Sequence, residues 1–488
     1  MKSSRDRFTP FVLGTSLIGL SLVMLLFTLY ALLVHDPFLG FVVATALAAV
    51  LGVSLRYLGA PDADPSRRET IATVLLIWFA FPLIGAIPYL ISGHLSALNA
   101  FFEAMSGFTT TGSTVITDFE NFPQSLFLWR ALTQWVGGIG ILVLFISVLP
   151  HLAIAGRQLF IAEAPGPTSE TLGPRVRHTA TAVLSIYIGL TVACCLAYIL
   201  GGMSIFDAVA HSFTTLAAGG FSPNALSFAD YNAALSWIAV PFMAFAGTNF
   251  ALLYRAFQGR PRLLLQSLEF RIYLTISVVI ALLMAVNLST TYGLAEALRH
   301  GFFQSLSIIT TTGFASIDFA QWPQQVQIFI VFLMFIGGSA GSAAGGIKVV
   351  RWLIVLNGSL QEARHIVHPR GVFFARLNGQ VIPPKVMQAV EAFFTLYFLL
   401  VVLSSVLLVG LGADFITALT ASLASVGNIG PGLAGVGPLD NFAELSAFSR
   451  GILIFDMYAG RLEIITVFLL FESDWWHVPH HLFRGSDS

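Results

Sequence analysis

The stretch "TTTGSTVITDF" (residues 109–119) places hydroxyls, a glycine and an acid between long apolar segments, and "TTTGFASIDF" (310–319) repeats its pattern two hundred residues later. The surrounding chain is strongly apolar, since 56% of its 488 residues are hydrophobic and only 10% are charged. Soluble domains carry about 25% charged residues. The composition therefore indicates a polytopic membrane protein, and the two stretches indicate a repeated unit within it.

Ten apolar segments have roughly the 20 residues that a helix needs to cross a bilayer. The first is too long for a signal peptide and lacks a small-residue cleavage site, so we interpret it as a transmembrane helix. The ten predicted spans are 11–34, 39–57, 70–92, 125–150, 180–202, 232–256, 270–290, 325–352, 388–411 and 447–471.

Shorter amphipathic pieces, too short to span, lie near 97–109, 204–217, 295–310 and 413–426, and each is followed by polar residues that include glycine. Nearly all Lys and Arg residues between the spans fall on one side if both termini are cytoplasmic, as the positive-inside rule requires. The short pieces then enter the membrane from the outer side. Arg130, Arg299 and Arg450 fall opposite, and Lys348 and Arg461 lie within predicted helices.

The four short pieces align on one glycine each, with a small residue eight positions before it and an apolar residue next. Such internal repetition indicates a repeat architecture. We predict a unit of helix, short re-entrant helix, glycine loop and helix, repeated four times around a pseudo-symmetric axis. The aligned glycines are Gly112, Gly220, Gly313 and Gly430, and the small residues are Ala104, Ser212, Ser305 and Ser422.

The predicted fold is an all-α polytopic membrane protein with two extra N-terminal helices. Its divisions are 1–69 (two transmembrane helices), 70–155 (first pore repeat), 178–262 (second), 268–356 (third, with a glycine-rich intramembrane loop at 335–348), 386–474 (fourth) and 475–488 (a cytoplasmic tail).

The membrane environment restricts where the glycine loops can lie. Non-helical backbone at membrane depth must be buried in protein or line a wet cavity, because lipid cannot satisfy its carbonyls. Four loops around one axis would aim rings of carbonyl oxygens at a central path, which is the chemistry of potassium selection. Glycine permits the positive φ that this alignment needs, and helix C-termini favour a cation. One such string would be an ordinary loop, but four in register favour a filter.

The motifs TTTGS, AAGGFSPN, TTTGF and NIGPGLAGVG resemble the four filter motifs of the K⁺ transporter superfamily that comprises TrkH, TrkG, KtrB and the fungal and plant Trk/HKT proteins. The resemblance covers nearly the whole chain and is greatest to the bacterial TrkH members. It implies that K⁺ is coordinated by the carbonyls of the two residues before each glycine. Those residues are Thr110, Thr111, Ala218, Gly219, Thr311, Thr312, Asn428 and Ile429.

Arg461 lies near the middle of the last predicted span, where an unpaired charge costs several kcal/mol and marks a functional candidate. The resemblance places it below the filter, where its charge would hold the path shut. The alternatives are a structural pair with Asp456 or Glu463, or extension to the cytoplasmic edge.

The segment "FIGGSAGSAAGGIK" (335–348) breaks the eighth predicted span. The resemblance makes it an intramembrane loop that gates permeation, whereas small residues could instead serve close helix packing. It is not a phosphate-binding loop, because its spacing is wrong and no strand precedes it. The predicted gate residues are Arg461, Gly337, Gly338, Gly341, Gly345, Gly346 and Lys348.

Acids flank the outer mouth of the predicted path at Asp118, Glu120 and Asp318. They could enrich cations there, or they could be solvated loop residues. Glu103, in the first re-entrant helix, could support that helix or lie at the surface.

The resemblance also implies partners. These are a TrkA-like cytoplasmic regulatory subunit that binds nucleotide (NAD or ATP/ADP), and a second copy of the chain in a homodimer. The basic loop at 357–385 and the loop at 155–178 are candidate docking faces. The expected location is the inner (cytoplasmic) membrane, multi-pass, with both termini cytoplasmic.

The predicted function is K⁺ uptake through this filter, gated from the cytoplasmic side. Symport of K⁺ with H⁺ or Na⁺ remains open as an alternative. A membrane-embedded lipid-modifying enzyme is a further alternative, but such an enzyme would need ionisable catalytic groups. The repeated content here is backbone geometry and glycine, so we predict that the chain is not an enzyme.

Overall fold

The computed structural model describes residues 7–60, 66–147 and 172–471, and most of these residues lie in helices. The helices are α1 (Phe8–Leu33), α2 (Leu39–Leu58), α3 (Arg67–Gly85), α4 (Ile87–Ile91), α5 (Ala97–Phe108), α6 (Gln124–Ser147), α7 (Leu172–Leu200), α8 (Ile205–Leu216), α9 (Ala233–Ala246), α10 (Phe250–Phe257), α11 (Arg262–Gln266), α12 (Leu268–Tyr292), α13 (Leu294–Ile309), α14 (Gln324–Met334), α15 (Val349–Val367), α16 (Pro384–Gly410), α17 (Phe415–Gly427), α18 (Ala447–Arg461) and α19 (Ile464–Phe468).

The described β-structure is a two-stranded antiparallel hairpin, β1 (Arg376–Leu377) and β2 (Gln380–Val381), within the loop between α15 and α16. Short 3₁₀ turns occur at Phe319–Gln321, Ala434–Val436, Phe442–Glu444 and Leu469–Phe471.

Among the described residues, six helices are long and apolar enough to cross a membrane, and the bent pair of α9 and α10 would make a seventh. Their outward faces carry exposed apolar side chains, such as Leu26 (65% exposed) and Leu200 (87%). So many exposed apolar side chains would be unfavourable in water, but they are compatible with contact with a lipid bilayer. The expectation of an all-α membrane protein is confirmed.

The four short pieces form α5, α8, α13 and α17, and each packs against the long helix next to it. The small residue of the aligned pattern allows this approach at two of them. The Ser305 hydroxyl donates to the carbonyl of Ser277 on α12 at 2.7 Å, and the Ser422 hydroxyl lies 3.2 Å from the carbonyl of Val401 on α16. A larger side chain at either position would separate the re-entrant helix from the span that supports it.

Besides the one-residue turn between α3 and α4, three predicted spans are not continuous helices. The span at 232–256 breaks at 247–249, where α9 and α10 meet at 108°. The span at 325–352 breaks at 335–348, as the glycine pattern indicated. The span at 447–471 ends its long helix at Arg461 because Glu463 has a φ of 66°, which an α-helix cannot hold.

Several sequence-based predictions fall outside the described residues. These are the cytoplasmic tail at 475–488, residues 1–6 and 61–65 of the division at 1–69, the end of the span at 125–150, and most of the loop at 155–178.

Candidate functional site

Each re-entrant helix ends in the same backbone turn. The residue two positions before the aligned glycine adopts a left-handed conformation, although none of the four is glycine. Their φ angles are 52° at Thr110, 53° at Ala218, 58° at Thr311 and 52° at Asn428. The next N–H then bonds back five residues into the helix, as from Thr111 to Ser106 at 2.8 Å. This pairing defines a Schellman C-cap, so the helix end and the glycine loop form one rigid piece.

The aligned glycines are left-handed as well, with φ angles of 88° at Gly112, 76° at Gly220, 79° at Gly313 and 106° at Gly430. Left-handed residues therefore alternate with residues of negative φ through each loop. A β-branched or bulky residue rarely adopts this conformation, and glycine adopts it without strain. This conformation favours glycine at the four aligned positions but does not by itself demand it, since Thr110 and Thr311 adopt it too.

The four loops close into a ring, which we call the glycine ring (residues 110–112, 218–220, 311–313 and 428–430). Each glycine abuts the carbonyl oxygen of the residue before the glycine in the next repeat. A methyl group added to the glycine would lie far inside contact distance of that oxygen. The distances from the added methyl carbon to the carbonyl oxygen are 2.1 Å for Gly112 and Gly219, 1.9 Å for Gly220 and Thr312, 2.0 Å for Gly313 and Ile429, and 2.8 Å for Gly430 and Thr111.

Hydroxyl and amide side chains support the ring from behind. The Thr109 and Thr111 hydroxyls lie 2.8 Å apart, and the corresponding Thr310 and Thr312 hydroxyls lie 2.7 Å apart. The Asn428 amide donates to the Thr111 hydroxyl at 2.9 Å. These side chains are fully or almost fully buried. Because buried hydroxyls and amides need partners, this network favours one arrangement of the loops.

Gln134 on α6 forms hydrogen bonds with the second loop, whose ring residues 218–220 have no hydroxyl side chains. Its amide nitrogen donates to the Gly219 carbonyl at 2.7 Å, and its amide oxygen accepts from the Phe221 N–H at 3.1 Å. The Gly219 carbonyl, one of the predicted K⁺ ligands, thus already accepts one hydrogen bond, although a carbonyl oxygen has two lone pairs. The sequence analysis missed Gln134, a polar residue inside a predicted span.

In three of the four repeats, the residue nine positions before the aligned glycine holds the segment that follows that glycine, which we call the outer arm of the loop. Glu103 accepts hydrogen bonds from the Thr114 hydroxyl and the Val115 N–H, and it pairs with Arg130 at 2.7 Å. Both members of this ion pair are buried. Sequence reasoning left the role of Glu103 open, and the structure places it in the interior.

The intramembrane loop at 335–348 inserts at the break in the second repeat. The Ser339 N–H donates to the Gly247 carbonyl at 2.8 Å, and the Phe250 N–H donates to the Gly341 carbonyl at 3.1 Å. The Asn249 amide donates to the Ala340 carbonyl at 2.8 Å. Backbone groups freed by the broken helix are therefore paired with the loop, as membrane depth demands.

Glycine is required sterically at several points of this loop. A methyl group on Gly337 would lie 2.2 Å from the Gly345 carbonyl, and one on Gly345 would lie 2.3 Å from the Gly427 carbonyl at the end of α17. Gly341 and Gly346 have φ angles of 72° and 62°, and Gly338 lies against Gly247. The five predicted gate glycines thus form a close-packed segment rather than a helix-packing stripe.

Arg461 points into this region from the end of α18. Its Nη1 donates to the Ala343 carbonyl of the loop at 3.0 Å, and its side chain is 3% exposed. Its Nε and Nη2 atoms have no hydrogen-bond partner among the described residues. A small cavity that also borders Asn428 of the ring is lined in part by Gly345, Lys348 and Arg461.

The structural pairing considered for Arg461 does not occur. Glu463 pairs with Arg351 at 2.6 Å, and Asp456 accepts hydrogen bonds from Ser404 and Ser422. Lys348, also buried, donates to the Ala344 carbonyl within the loop. The structure therefore brings together the ring, the loop and the predicted gate cations.

The outer acids have local structural roles. Asp118 accepts from the N–H and the side-chain amide of Asn121, and these hydrogen bonds lower the pKa of the Asp118 carboxyl. Asp318 caps the turn at Phe319–Gln321 by accepting from the Ala320 N–H at 3.0 Å. Enrichment of cations by these acids stays a prediction.

Comparison with known proteins identifies the family. The family model described as "TrkH: Cation transport protein" matches residues 37–476. The chain belongs to the TrkH family. Curated relatives include the Trk system potassium uptake protein TrkH of Vibrio parahaemolyticus, 36% identical over 483 residues, which covers 95% of this chain and 98% of the relative. TrkH of Escherichia coli K12 is 35% identical over 417 residues, covering 84% of this chain and 86% of the relative.

The crystal structure of the potassium transporter TrkH from Vibrio parahaemolyticus is similar to this structure over nearly the whole chain. The TM-score is 0.89 at 33% sequence identity, and the match covers 98% of this chain and 100% of that one. The resemblance inferred from the filter motifs is thus confirmed. The chain is a multi-pass membrane protein of a cation transport family, and its named TrkH relatives are potassium uptake proteins rather than enzymes.

Proposed function

We propose that this TrkH-family protein takes up K⁺ across the cytoplasmic membrane through the glycine ring. The closure of the four loops carries the proposal, since each aligned glycine abuts a carbonyl of the next repeat. Such a ring presents backbone oxygens, rather than side chains, to an ion. Carbonyl oxygens that replace a hydration shell are the ligands of potassium filters.

The loop backbone suits this chemistry. Alternation of left-handed residues with residues of negative φ lets successive carbonyls face the same side of the loop. The re-entrant helices end at the ring, so the negative ends of their dipoles favour a cation there. The proposed K⁺ ligands are the carbonyls of Thr110, Thr111, Ala218, Gly219, Thr311, Thr312, Asn428 and Ile429.

We further propose that the intramembrane loop and Arg461 form the gate. The loop contacts the ring through a hydrogen bond from the Gly345 N–H to the Thr311 hydroxyl at 2.7 Å. The buried Arg461 guanidinium is anchored to this loop at Ala343. A fixed positive charge beside the path would raise the barrier for K⁺ until the loop and Arg461 move.

We assign movement of the gate to a cytoplasmic TrkA-like subunit that binds NAD or ATP/ADP. This subunit acts on a homodimer of the present chain, which lies in the inner membrane with both termini cytoplasmic. The basic surface at 357–385 is the proposed docking face within the described residues. It carries exposed apolar side chains, including Val372 (79% exposed) and Phe374 (58%), beside its Arg residues. Such a mixed patch outside the membrane suits a protein partner.

The test is ion flux into proteoliposomes that contain the purified full-length chain, with and without the regulatory subunit. Uptake of Rb⁺ should be inhibited by K⁺ far more than by Na⁺, and it should rise when the partner and nucleotide are added. No monovalent cation flux under either condition would refute the proposal. A potential of −100 mV supplies about 2.3 kcal/mol per charge, so uptake should follow the imposed voltage.

The same vesicles distinguish a channel-like path from symport. Reversal potentials that follow the K⁺ gradient alone indicate uncoupled conduction, whereas a shift with an imposed H⁺ or Na⁺ gradient indicates coupling.

A further inference from the structure

The ion pair between Glu103 and Arg130 lies outside the proposed filter and gate, yet it is among the most deeply buried charge pairs that the described residues contain. The Glu103 side chain is 0% exposed and the Arg130 side chain 2%. Glu103 lies on the first re-entrant helix, α5, and Arg130 lies on the following span, α6. Burying two charges is unfavourable unless their hydrogen-bonding groups are also satisfied, so the contacts of this pair show what it holds.

The Arg130 guanidinium bridges two different repeats. Its Nε donates to Glu103 at 2.7 Å and its Nη2 donates to the Thr114 hydroxyl at 3.2 Å, both in the first repeat. Its Nη1 donates to the Ser222 carbonyl of the second repeat at 3.1 Å. The guanidinium carbon Cζ of Arg130 also lies 4.0 Å from the centroid of the Phe221 ring, in a cation–π contact.

These contacts fall at equivalent places in the two loops. Thr114 is two residues after Gly112, and Ser222 is two residues after Gly220. The planar guanidinium group of Arg130 therefore fixes the outer arm of the first loop relative to the outer arm of the second. Arginine suits this role because its donors are held in a planar fork.

The other repeats hold their outer arms without an ion pair at the same position. His211, nine residues before Gly220, lies 3.1 Å from the Ser222 hydroxyl. The Gln304 amide, nine residues before Gly313, donates to the Phe314 carbonyl at 3.2 Å and accepts from the Ser316 N–H at 2.8 Å. The fourth repeat has Ala421 there and uses the Thr420 hydroxyl, which accepts from the Leu433 N–H. Among these supports, only that of the first repeat is an ion pair that also reaches a second loop.

We propose that Glu103 and Arg130 are positioning residues that set the spacing between the first two loops of the ring and thereby determine its preference for K⁺ over Na⁺. The inference rests on the proposed function, because a carbonyl ring discriminates between ions only through the number and placement of its oxygens. If Glu103 loses its charge, Arg130 loses its anionic partner, and the Thr114 and Ser222 contacts lose their common anchor.

The test is Glu103→Gln in the full-length chain, assayed in proteoliposomes as the ratio of K⁺ to Na⁺ inhibition of Rb⁺ uptake. We expect this ratio to fall about tenfold, equivalent to about 1.4 kcal/mol, while flux itself persists. Glu69→Gln is the control, since Glu69 accepts a hydrogen bond from the Ser66 N–H in an exposed capping box at the start of α3. The control should keep the wild-type ratio.

Arg130→Lys separates bridging from charge. Lysine keeps the positive charge beside Glu103 but lacks the fork that also reaches Thr114 and Ser222. The proposal predicts that its selectivity falls as well, whereas full rescue by lysine would contradict a bridging role.

Glu103→Gln with normal flux and an unchanged ratio would overturn the inference. If Glu103→Gln does not fold, Thr114→Val decides, because it removes the hydroxyl that joins Glu103 to Arg130 and keeps both charges. A lowered ratio in Thr114→Val supports the proposal, and an unchanged ratio overturns it. Failure of the wild-type protein to transport any monovalent cation would instead refute the proposed function.

Discussion

The hydroxyl of Thr311 accepts a 2.7 Å hydrogen bond from the N–H of Gly345. Thr311 is the left-handed residue of the third loop of the glycine ring, and Gly345 belongs to the intramembrane loop. This bond joins the proposed filter directly to the proposed gate. Movement of the loop would therefore leave a buried group of the ring without its partner, so the state of the gate and the geometry of the ring are coupled.

Thr311→Val tests this coupling. Valine keeps the shape and the branching at Cβ but leaves the Gly345 N–H unsatisfied, a loss of about 1–3 kcal/mol. We expect the closed loop to be destabilised and flux without the regulatory subunit to rise about tenfold. The control is Thr28→Val, whose buried hydroxyl donates within α1 to the Met24 carbonyl at 3.0 Å. Unchanged or lower basal flux in Thr311→Val would contradict the coupling.

Gly220→Ala tests the closure of the ring. The added methyl group would lie 1.9 Å from the Thr312 carbonyl, so the loops must separate. We expect K⁺ uptake or its preference over Na⁺ to fall at least about tenfold, as 1.4 kcal/mol would produce. Gly93→Ala is the control, because Gly93 has a similar φ of 79° but no atom within 4 Å of an added methyl group. Equal effects of the two substitutions would show that backbone strain, rather than ring closure, is responsible.

Arg461→Gln tests the charge at the gate. Glutamine can still donate to the Ala343 carbonyl, but it removes the positive charge. Repulsion between two unit charges 4–8 Å apart is about 2–4 kcal/mol at an effective dielectric constant of about 20. Basal flux should therefore rise at least about tenfold. Arg450→Gln, which alters an arginine bound to Asn99 at 2.6 Å on the predicted outer side, should leave basal flux low. Low basal flux in both variants would exclude the proposed barrier.

Asp456 links α18 to α16 and α17 within the fourth repeat. Ser404 on α16 donates to it at 2.8 Å, and the Ser422 hydroxyl of α17 lies 3.3 Å from it. We expect Asp456→Ala to lower stability by about 1–3 kcal/mol because two buried hydroxyls lose a partner. Asp456→Asn, which keeps the acceptor oxygen, should lose less. Thermal unfolding in detergent measures both, and a wild-type Tm for Asp456→Ala would be inconsistent with this role.

The four short re-entrant helices could be predicted from the sequence because apolar length and the aligned glycines are local signals. The break at 247–249 could not. The predicted span at 232–256 is mostly apolar, and the Gly247-Thr248-Asn249 sequence at its break was not interpreted as a helix end. The break is stabilised by pairing with backbone groups of the intramembrane loop, which lies about ninety residues further along the chain, and this pairing is not visible in the local sequence.

The glycines of the ring were predicted, but the left-handed conformation of Thr110 and Thr311 was not. Threonine rarely adopts that conformation, and here the Schellman caps of the re-entrant helices impose it. The Glu103–Arg130 pair was missed for another reason. Its members lie in separate segments, and sequence alone did not show that Glu103 faces the interior.

The most direct test of the central claim is the location of bound ions in a map of the full-length chain prepared with Tl⁺ or Rb⁺ in place of K⁺. The account predicts density on the axis of the glycine ring, bounded by the carbonyls of Thr111, Thr312 and Ile429. A map in which the four loops stand apart, or in which the ions bind only away from the axis, would contradict it.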